Sequence, residues 1–287
     1  MAKPFLKWVG GKRQLMPDLL QHLPVDLPAF AAGQGCYFEP FIGGGALFFA
    51  LQEQGVRRAV INDFNPELVN LYRVIQRDAA ALDAQLRQPS FANTAEAFAN
   101  VRGWDRGADW QQRSELERAA RFVYLNRTAF NGLWRVNSKE HFNVPYGRYK
   151  TPGIPSLEKL QDAQKALAGV TILNGDFEAA CAQAKAGDLV YFDPPYAPVS
   201  ATSSFVGYTL KGFDDGMQRR LAQLCASLSE KGVAWMLSNS DTPYTQEVFG
   251  AIPGARLEIV RAARSINRNG DGRQKVNEIL VVGRPLA

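Results

Sequence analysis

Cysteine, histidine and long apolar runs are scarce in this chain. Its 287 residues include three cysteines, Cys36, Cys181 and Cys225, scattered and odd in number. Such a set offers no disulfide framework and points to a reducing compartment. The two histidines, His22 and His141, lie beside neither each other nor a cysteine pair. A zinc site and a Ser-His-Asp triad therefore lack their parts, and we expect no metal. No apolar run is long enough to span a bilayer, and the first residues lack the apolar stretch of a signal peptide. The expectation is a cytoplasmic protein without a membrane partner. Gly10-Gly11-Lys12 lacks the earlier glycine and the following hydroxyl of a phosphate-binding P-loop.

What is present is a globular composition with a formal net charge of +5. The charge is local. Between Arg118 and Lys150 there are seven Lys or Arg against one acid, Glu140, which gives that segment +6 and leaves the rest near neutral. Seven aromatic residues are interleaved there: Phe122, Tyr124, Phe130, Trp134, Phe142, Tyr146 and Tyr149. Basic residues mixed with aromatics suggest nucleic acid. The alternative is a solvated basic face whose aromatics form a small core.

Apolar runs alternate with helical patterns. Strands are expected at Tyr37–Phe41, Ala59–Asn62, Val170–Leu173, Leu189–Phe192, Val233–Leu237 and Ile279–Val282. Asp215 to Lys231 has helical spacing, and Pro66 to Arg87 reads as one helix. Alternation of this kind predicts an α/β fold with a mostly parallel sheet covered by helices. It breaks after the second strand, and roughly residues 70 to 157 read as an inserted, mainly helical subdomain. Asn131-Gly132 is a turn dipeptide, and Asn143-Val144-Pro145-Tyr146-Gly147 reads as a hairpin or extended loop.

Two segments carry chemistry. Asp193-Pro194-Pro195-Tyr196 leaves the strand Leu189–Phe192, and ligands of open α/β sheets bind at such carboxyl ends. A carboxylate and an aromatic ring stiffened by proline suit a planar amino compound: acceptors take its hydrogens while the ring stacks on its face. A strand-ending turn would use the same prolines. The second segment, Glu39-Pro40-Phe41-Ile42-Gly43-Gly44-Gly45, follows the first strand and opens a helix. Its glycines allow close backbone approach, and the helix start favours an anionic group. Asp63 ends the second strand, where an acid grips ribose hydroxyls; it could instead cap the helix that follows. The cofactor could be a dinucleotide or S-adenosylmethionine, and the loop lacks the full G-x-G-x-x-G spacing of the former.

Lys7-Trp8-Val9-Gly10-Gly11-Lys12, the Phe41–Gly45 loop, Asp63 and Asp193-Pro194-Pro195-Tyr196 occur in the order that resembles the Dam family of DNA adenine methyltransferases. So do Asn126-Arg127, Asn131-Gly132-Leu133-Trp134-Arg135-Val136-Asn137, Phe142 to Tyr149, Ser238-Asn239 with Asp241-Thr242, Arg264-Ser265-Ile266, and Lys275 to Leu280. The resemblance implies a Rossmann-like methyltransferase sheet with helices on both faces. Residues 1–69 and 158–287 would form the S-adenosylmethionine-binding catalytic domain, and 70–157 an inserted DNA-recognition domain. Trp8, Lys12, Phe41, Gly43, Gly45, Asp63 and Asp193 would hold S-adenosylmethionine. Asp193, Pro194 and Tyr196 would hold the target adenine. Lys7, Leu133, Arg135 and Pro145 fall at positions that read bases, with Arg127 and Asn131 also on the DNA. Phe130 stands where the family often has tyrosine, as an apolar wedge.

The expected activity is methylation of adenine in double-stranded DNA, within GATC, on a base flipped from the helix. Ala197 to Tyr208 would close over that base as a lid. The resemblance further implies a monomer, bacterial or phage-encoded and associated with the nucleoid. Three other readings remain: a restriction-modification methyltransferase with another target, an RNA methyltransferase, and a noncatalytic DNA-binding protein of the same fold.

Overall fold

A computed structural model describes residues 3–12, 14–33, 35–197, 213–263 and 275–284. The expected lid beyond Ala197 and the Arg264-Ser265-Ile266 motif lie outside them. In chain order the elements are α1 (Met16–Gln21), α2 (Leu27–Ala32), β1 (Tyr37–Glu39), α3 (Ala46–Glu53), β2 (Ala59–Asp63), α4 (Pro66–Arg77), α5 (Ala79–Leu86), α6 (Ala95–Gly103), α7 (Glu115–Thr128), α8 (Leu157–Leu167), β3 (Thr171–Asn174), α9 (Phe177–Ala180), β4 (Leu189–Phe192), α10 (Asp215–Glu230), β5 (Ala234–Ser240), α11 (Pro243–Gly250), β6 (Arg256–Ala263) and β7 (Lys275–Gly283). They gather into two compact units. The first comprises Met1–Gly11, Gly43–Ala50 and Asn65–Ala168, the second Lys12–Ile42, Leu51–Phe64 and Gly169–Ala287.

All seven strands belong to the second unit, in the order β3-β2-β1-β4-β5-β7-β6. The pairs from β3 to β5 are parallel, whereas β7 runs antiparallel to both β5 and β6. This is a Rossmann-like methyltransferase sheet flanked by helices. Strands β1 and β4 are parallel neighbours, with Tyr37 opposite Leu189. Their carboxyl ends therefore lie side by side at the point where strand order reverses. That is the ligand-binding position of such sheets, and both chemistry-bearing segments leave from it. The core under β4 and β5 takes in Phe177, Val190, Phe192, Leu221, Trp235 and Leu237, together with Cys181 and Cys225. Two of the three cysteines are thus packing residues.

The strands differ from the expectation at several places: β5 runs on past Leu237 to Ser240, and β7 begins at Lys275, ahead of its apolar run. β1 stops at Glu39, because Pro40 and the glycines turn the chain away. A seventh strand, β6, carries no clean alternation: it is a sheet edge, and its Ile259 is 54% exposed. The helix expected over Pro66–Arg87 is two helices. Asp78 is extended (φ −157°, ψ 91°), and its carboxylate accepts from the Ala81 N–H to start α5, the usual work of an N-cap aspartate.

In the first unit α7 is the central helix, packed on α4, α5 and α6. A capping box of Ser114 and Glu117 starts it, and Ala119 to Asn126 are buried without interruption. Two polar members of that buried run are satisfied. Arg121 pairs with Asp105 at 2.7 Å, and the amide of Asn126 reaches back to the N-terminal segment. Rings pack alongside: Phe122 and Trp134 are stacked with centres 3.9 Å apart, and Trp134 and Phe142 are tilted with centres 5.0 Å apart. For the aromatics of the basic segment, the small-core reading therefore holds at Phe122, Tyr124, Trp134 and Phe142, all buried, whereas Phe130 is 48% exposed.

Candidate active site

The four residues after β4 are held by the ends of β5 and β7. Strand β5 is buried along its whole length although it ends Ser238-Asn239-Ser240, and buried polar groups need partners. Each finds one in the turn. The Ser238 hydroxyl donates to Asp193 Oδ1 at 3.1 Å and lies 2.9 Å from the Tyr191 hydroxyl. Asn239 Oδ1 accepts from the Ala197 N–H at 3.1 Å, and Ser240 Oγ donates to the Ala197 carbonyl at 2.7 Å. Gln218 on α10 donates to the Pro195 carbonyl at 3.2 Å and accepts from Asn239. The Tyr196 hydroxyl donates to Glu278 Oε2 on β7 at 2.5 Å.

Lys12 completes this group. Its ammonium, 4% exposed, lies 2.8 Å from Asp193 Oδ1 and 4.6 Å from the centre of the Tyr196 ring. Both contacts to the Asp193 carboxylate thus go to Oδ1. Burial pushes the Asp193 carboxyl above its ordinary range, while Lys12 and the Ser238 hydrogen bond pull it back. Burial, and then the charges of Asp193 and Glu278, hold the Tyr196 phenol well above its usual range, so it stays a donor. Of the sequence-predicted residues, Lys12, Asp193 and Tyr196 therefore come together. Pro194 is buried between the latter two.

The loop after β1 is pinned at its start. Asn62 Nδ2 donates to the Pro40 carbonyl at 2.9 Å, and the Ile42 N–H donates to the Asn62 carbonyl at 2.9 Å. Phe41 packs on Phe177 and Phe213. Asp63 closes β2, with β1 between it and β4, and its carbonyl accepts from Asn174 Nδ2 and the Gly175 N–H. The capping alternative for Asp63 fails, since Asn65 caps α4.

In the first unit Gly43 lies against Trp8. A Cβ there would stand 2.5 Å from the indole nitrogen, and φ is +45°. At Gly45, φ is +68° and a Cβ would meet Phe49 and the Tyr72 hydroxyl at 3.0 Å. Only glycine fits either place. Trp8 also stacks near Phe122.

The candidate DNA-contacting residues share this unit. Asn126 accepts from the Lys7 N–H at 2.9 Å and donates to the carbonyls of Lys7 and Gly132 at 2.6 and 3.1 Å. The Lys7 ammonium lies 4.3 Å from the centre of the Tyr149 ring, and burial, then the charge of Arg127, lowers its pKa. Asn131 has φ +55° and Gly132 φ +64°, a tight turn that leaves Phe130 exposed. The Phe130 N–H donates to the Pro145 carbonyl at 2.9 Å, and bridges pair Val136 with Phe142 and Ala129 with Tyr146. The segment thus returns on itself, with Leu133 half-buried and Arg135 and Pro145 exposed. Arg135 Nε donates to Asn143 Oδ1 at 2.7 Å. Arg127 differs from its companions: its guanidinium donates to the Phe5 carbonyl at 2.5 Å and so holds the N-terminal segment.

Sequence reasoning gave no role to Ser238, Asn239, Gln218, Glu278 or Asn126. All but Gln218 lie in segments that carry the family resemblance, which marked them without saying what each one does.

The chain is 44% identical to a Type II methyltransferase of Lactococcus lactis subsp. cremoris, over 97% of this chain and 94% of that one. It is 40% identical to a Type II methyltransferase of Methanocaldococcus jannaschii, over 98% and 99%. It is 35% identical to the DNA adenine methylase of Haemophilus influenzae, over 98% and 93%. Among the described residues no group of His, Cys, Asp or Glu could hold a metal ion, and no helix is long and apolar enough to cross a membrane. Residues 8–266 match the D12 class of N6 adenine-specific DNA methyltransferases, and the chain belongs to that family as an enzyme of adenine methylation in DNA.

Proposed function

We propose that the protein methylates the exocyclic nitrogen of adenine within GATC in duplex DNA, as a monomer, on a base flipped out of the helix. The observation that carries the reading is the Asp193–Tyr196 turn, clamped by β5 and β7 with Ser238 and Lys12 both on Oδ1 of its carboxylate. Residues 70–157 would recognise the duplex, and residues 1–69 with 158–287 would carry the chemistry.

Family membership implies S-adenosylmethionine, which when bound supplies a methyl group on a positively charged sulfur. The residues fit such a donor: a carboxylate, Asp63, closes β2 beside β1, and the chain leaves β1 into the glycine turn that holds Gly43 and Gly45. Trp8, Lys12, Phe41 and Asp193 would complete its site.

Adenine's amino nitrogen is a poor nucleophile because its lone pair is delocalised into the ring. Asp193 Oδ2 accepts one amino hydrogen, and the Pro194 carbonyl accepts the other. The nitrogen then pyramidalises and its lone pair is free to attack. Lys12 and Ser238 hold Oδ1, so the carboxylate need not reorganise as positive charge appears on the nitrogen. This is positioning with electrostatic preorganisation. Transfer would break the methyl–sulfur bond and leave a neutral thioether as the C–N bond forms, after which the nitrogen sheds a proton to solvent by way of Asp193. Tyr196 stacks on the extruded base, recovering about 1–3 kcal/mol of the unstacking cost. Lys7, Leu133, Arg135 and Pro145 read neighbouring bases, Phe130 fills the gap in the stack, and Arg127 and Asn131 support that contact.

The test is methyl transfer from labelled S-adenosylmethionine to a GATC duplex, a GATC-free duplex and a structured RNA. Label confined to adenine of the GATC duplex is expected. Label only on duplexes lacking GATC would refute the target. A second target is favoured by one observation: the relatives at 44% and 40% identity are Type II methyltransferases. A duplex library read out for methylated adenine separates the two readings.

A further inference from the structure

We propose that Glu278 is a positioning residue for methyl transfer, holding and polarising the Tyr196 ring on which the target adenine stacks. This rests on the stacking role given to Tyr196 above.

The backbone around Tyr196 is fixed on both sides. Pro195 is tied through its carbonyl to Gln218, and Ala197 is tied at its N–H by Asn239 and at its carbonyl by Ser240. What remains free is rotation of the side chain, and its one polar handle is the hydroxyl. That hydroxyl donates to Glu278 Oε2 at 2.5 Å. Glu278 sits on β7, opposite Ser240 on one side and Val260 on the other. Its strand is hydrogen-bonded along both edges, a rigid mount for an orienting group. Glutamate is somewhat depleted in strands, and at this position its carboxylate has a polar partner in Tyr196.

A hydrogen bond to a carboxylate is short and charge-assisted. It draws the phenolic proton away from the ring and leaves the ring face more negative. One face of the ring already takes a cation, since the Lys12 ammonium lies 4.6 Å from its centre, and the other is left for the base. The adenine nitrogen gains positive charge as its bond to the methyl group forms. A ring made electron-rich by Glu278 attracts that charge more strongly in the transition state than in the ground state. Loss of the carboxylate charge should therefore appear in kcat, not in base extrusion.

The experiment is a double-mutant cycle of Glu278→Gln and Tyr196→Phe, with extrusion read on a duplex carrying 2-aminopurine at the target and kcat read with labelled S-adenosylmethionine on the unmodified duplex. Gln still accepts the hydrogen bond, so the fluorescence of Glu278→Gln should stay within about twofold of wild type while kcat falls about tenfold. Tyr196→Phe should lose a similar factor, and the double variant no more than about twofold beyond it, because Glu278 acts through the hydroxyl. If the two losses multiply in the double variant, or if Glu278→Gln keeps wild-type kcat, the proposal is overturned. The stacking role is checked separately by Tyr196→Ala. Unchanged 2-aminopurine fluorescence there would remove the role itself, whatever the cycle returned.

Discussion

In the proposed mechanism Asp193 must be an anion to hold an amino group, and burial works against that charge. Its carboxyl lies above the ordinary 3.8. The folded chain thus binds this proton more tightly than the unfolded chain does. Stability from this group is largest below the ordinary value and is lost as pH rises through the raised folded value. Activity runs the other way, since it needs the ionised form. The acid limb of kcat should sit above the ordinary carboxylate range. Ser238→Ala removes one of the two groups that pull the carboxyl down, so that limb should move to higher pH, with about a fivefold loss of rate at neutral pH. A pH–rate profile of both proteins checks it, and an unmoved limb would separate Ser238 from Asp193. Asp193→Ala should lower kcat by about 1,000-fold or more while the protein still melts cooperatively. Arg135→Ala should relax discrimination at one base pair by about 1–3 kcal/mol, measured on duplexes altered one position at a time.

At this scale the sequence was most legible where side-chain chemistry is unusual. A carboxylate followed by two prolines and a tyrosine announces itself. Glu278 and Asn126 do not, because each acts through a partner far along the chain: 82 residues separate Glu278 from Tyr196, and 119 separate Asn126 from Lys7. No local spacing encodes such a pair.

Among elements, strands that are buried on both faces announce themselves as apolar runs, which is why β4 was placed to the residue. Edge strand β6 and the break between α4 and α5 were hidden for opposite reasons. β6 is half wet and carries charge in its pattern, whereas apolar periodicity runs across Asp78 although the backbone does not continue. Pairing of β5 with β7 makes a sharper statement than any pattern. Gly283 lies opposite Trp235, and a Cβ on it would fall 2.0 Å from the indole ring. Trp235 cannot easily withdraw, being fully buried with its Nε1 donating to Ser229 at 2.8 Å. Gly283→Ala should cost about 1–3 kcal/mol, read as a lower denaturant midpoint. Since β5 and β7 also clamp the Asp193–Tyr196 turn, kcat should fall with it; a variant of wild-type stability would show that the indole finds another place.

For the whole molecule, the basic segment is less of a DNA-binding surface than its composition suggests. Arg118 is paired with Glu67, Arg121 is buried against Asp105, and Arg127 holds the Phe5 carbonyl. The exposed cations of that segment are Arg135, Lys139, Arg148 and Lys150. If Lys139, Arg148 and Lys150 each meet one phosphate while Arg135 reads a base, the logarithm of the DNA affinity should fall with the logarithm of salt with a slope of about −3. A slope of about −6 or steeper, from a titration at several salt concentrations, would mean that the paired arginines also reach the duplex.

The path of the chain between the two units bears on how such enzymes could exchange specificities. The polypeptide passes from one unit to the other five times, at Gly11, Ile42, Ala50, Phe64 and Ala168. A chimaera made by swapping only residues 70–157 would leave behind Phe5 and Lys7, which Arg127 and Asn126 of the swapped piece grip. The transplanted piece would meet a foreign N-terminal strap. Recombination that succeeds should therefore carry two separated stretches of the gene together, the first few codons and the middle, so that specificity is inherited as a pair.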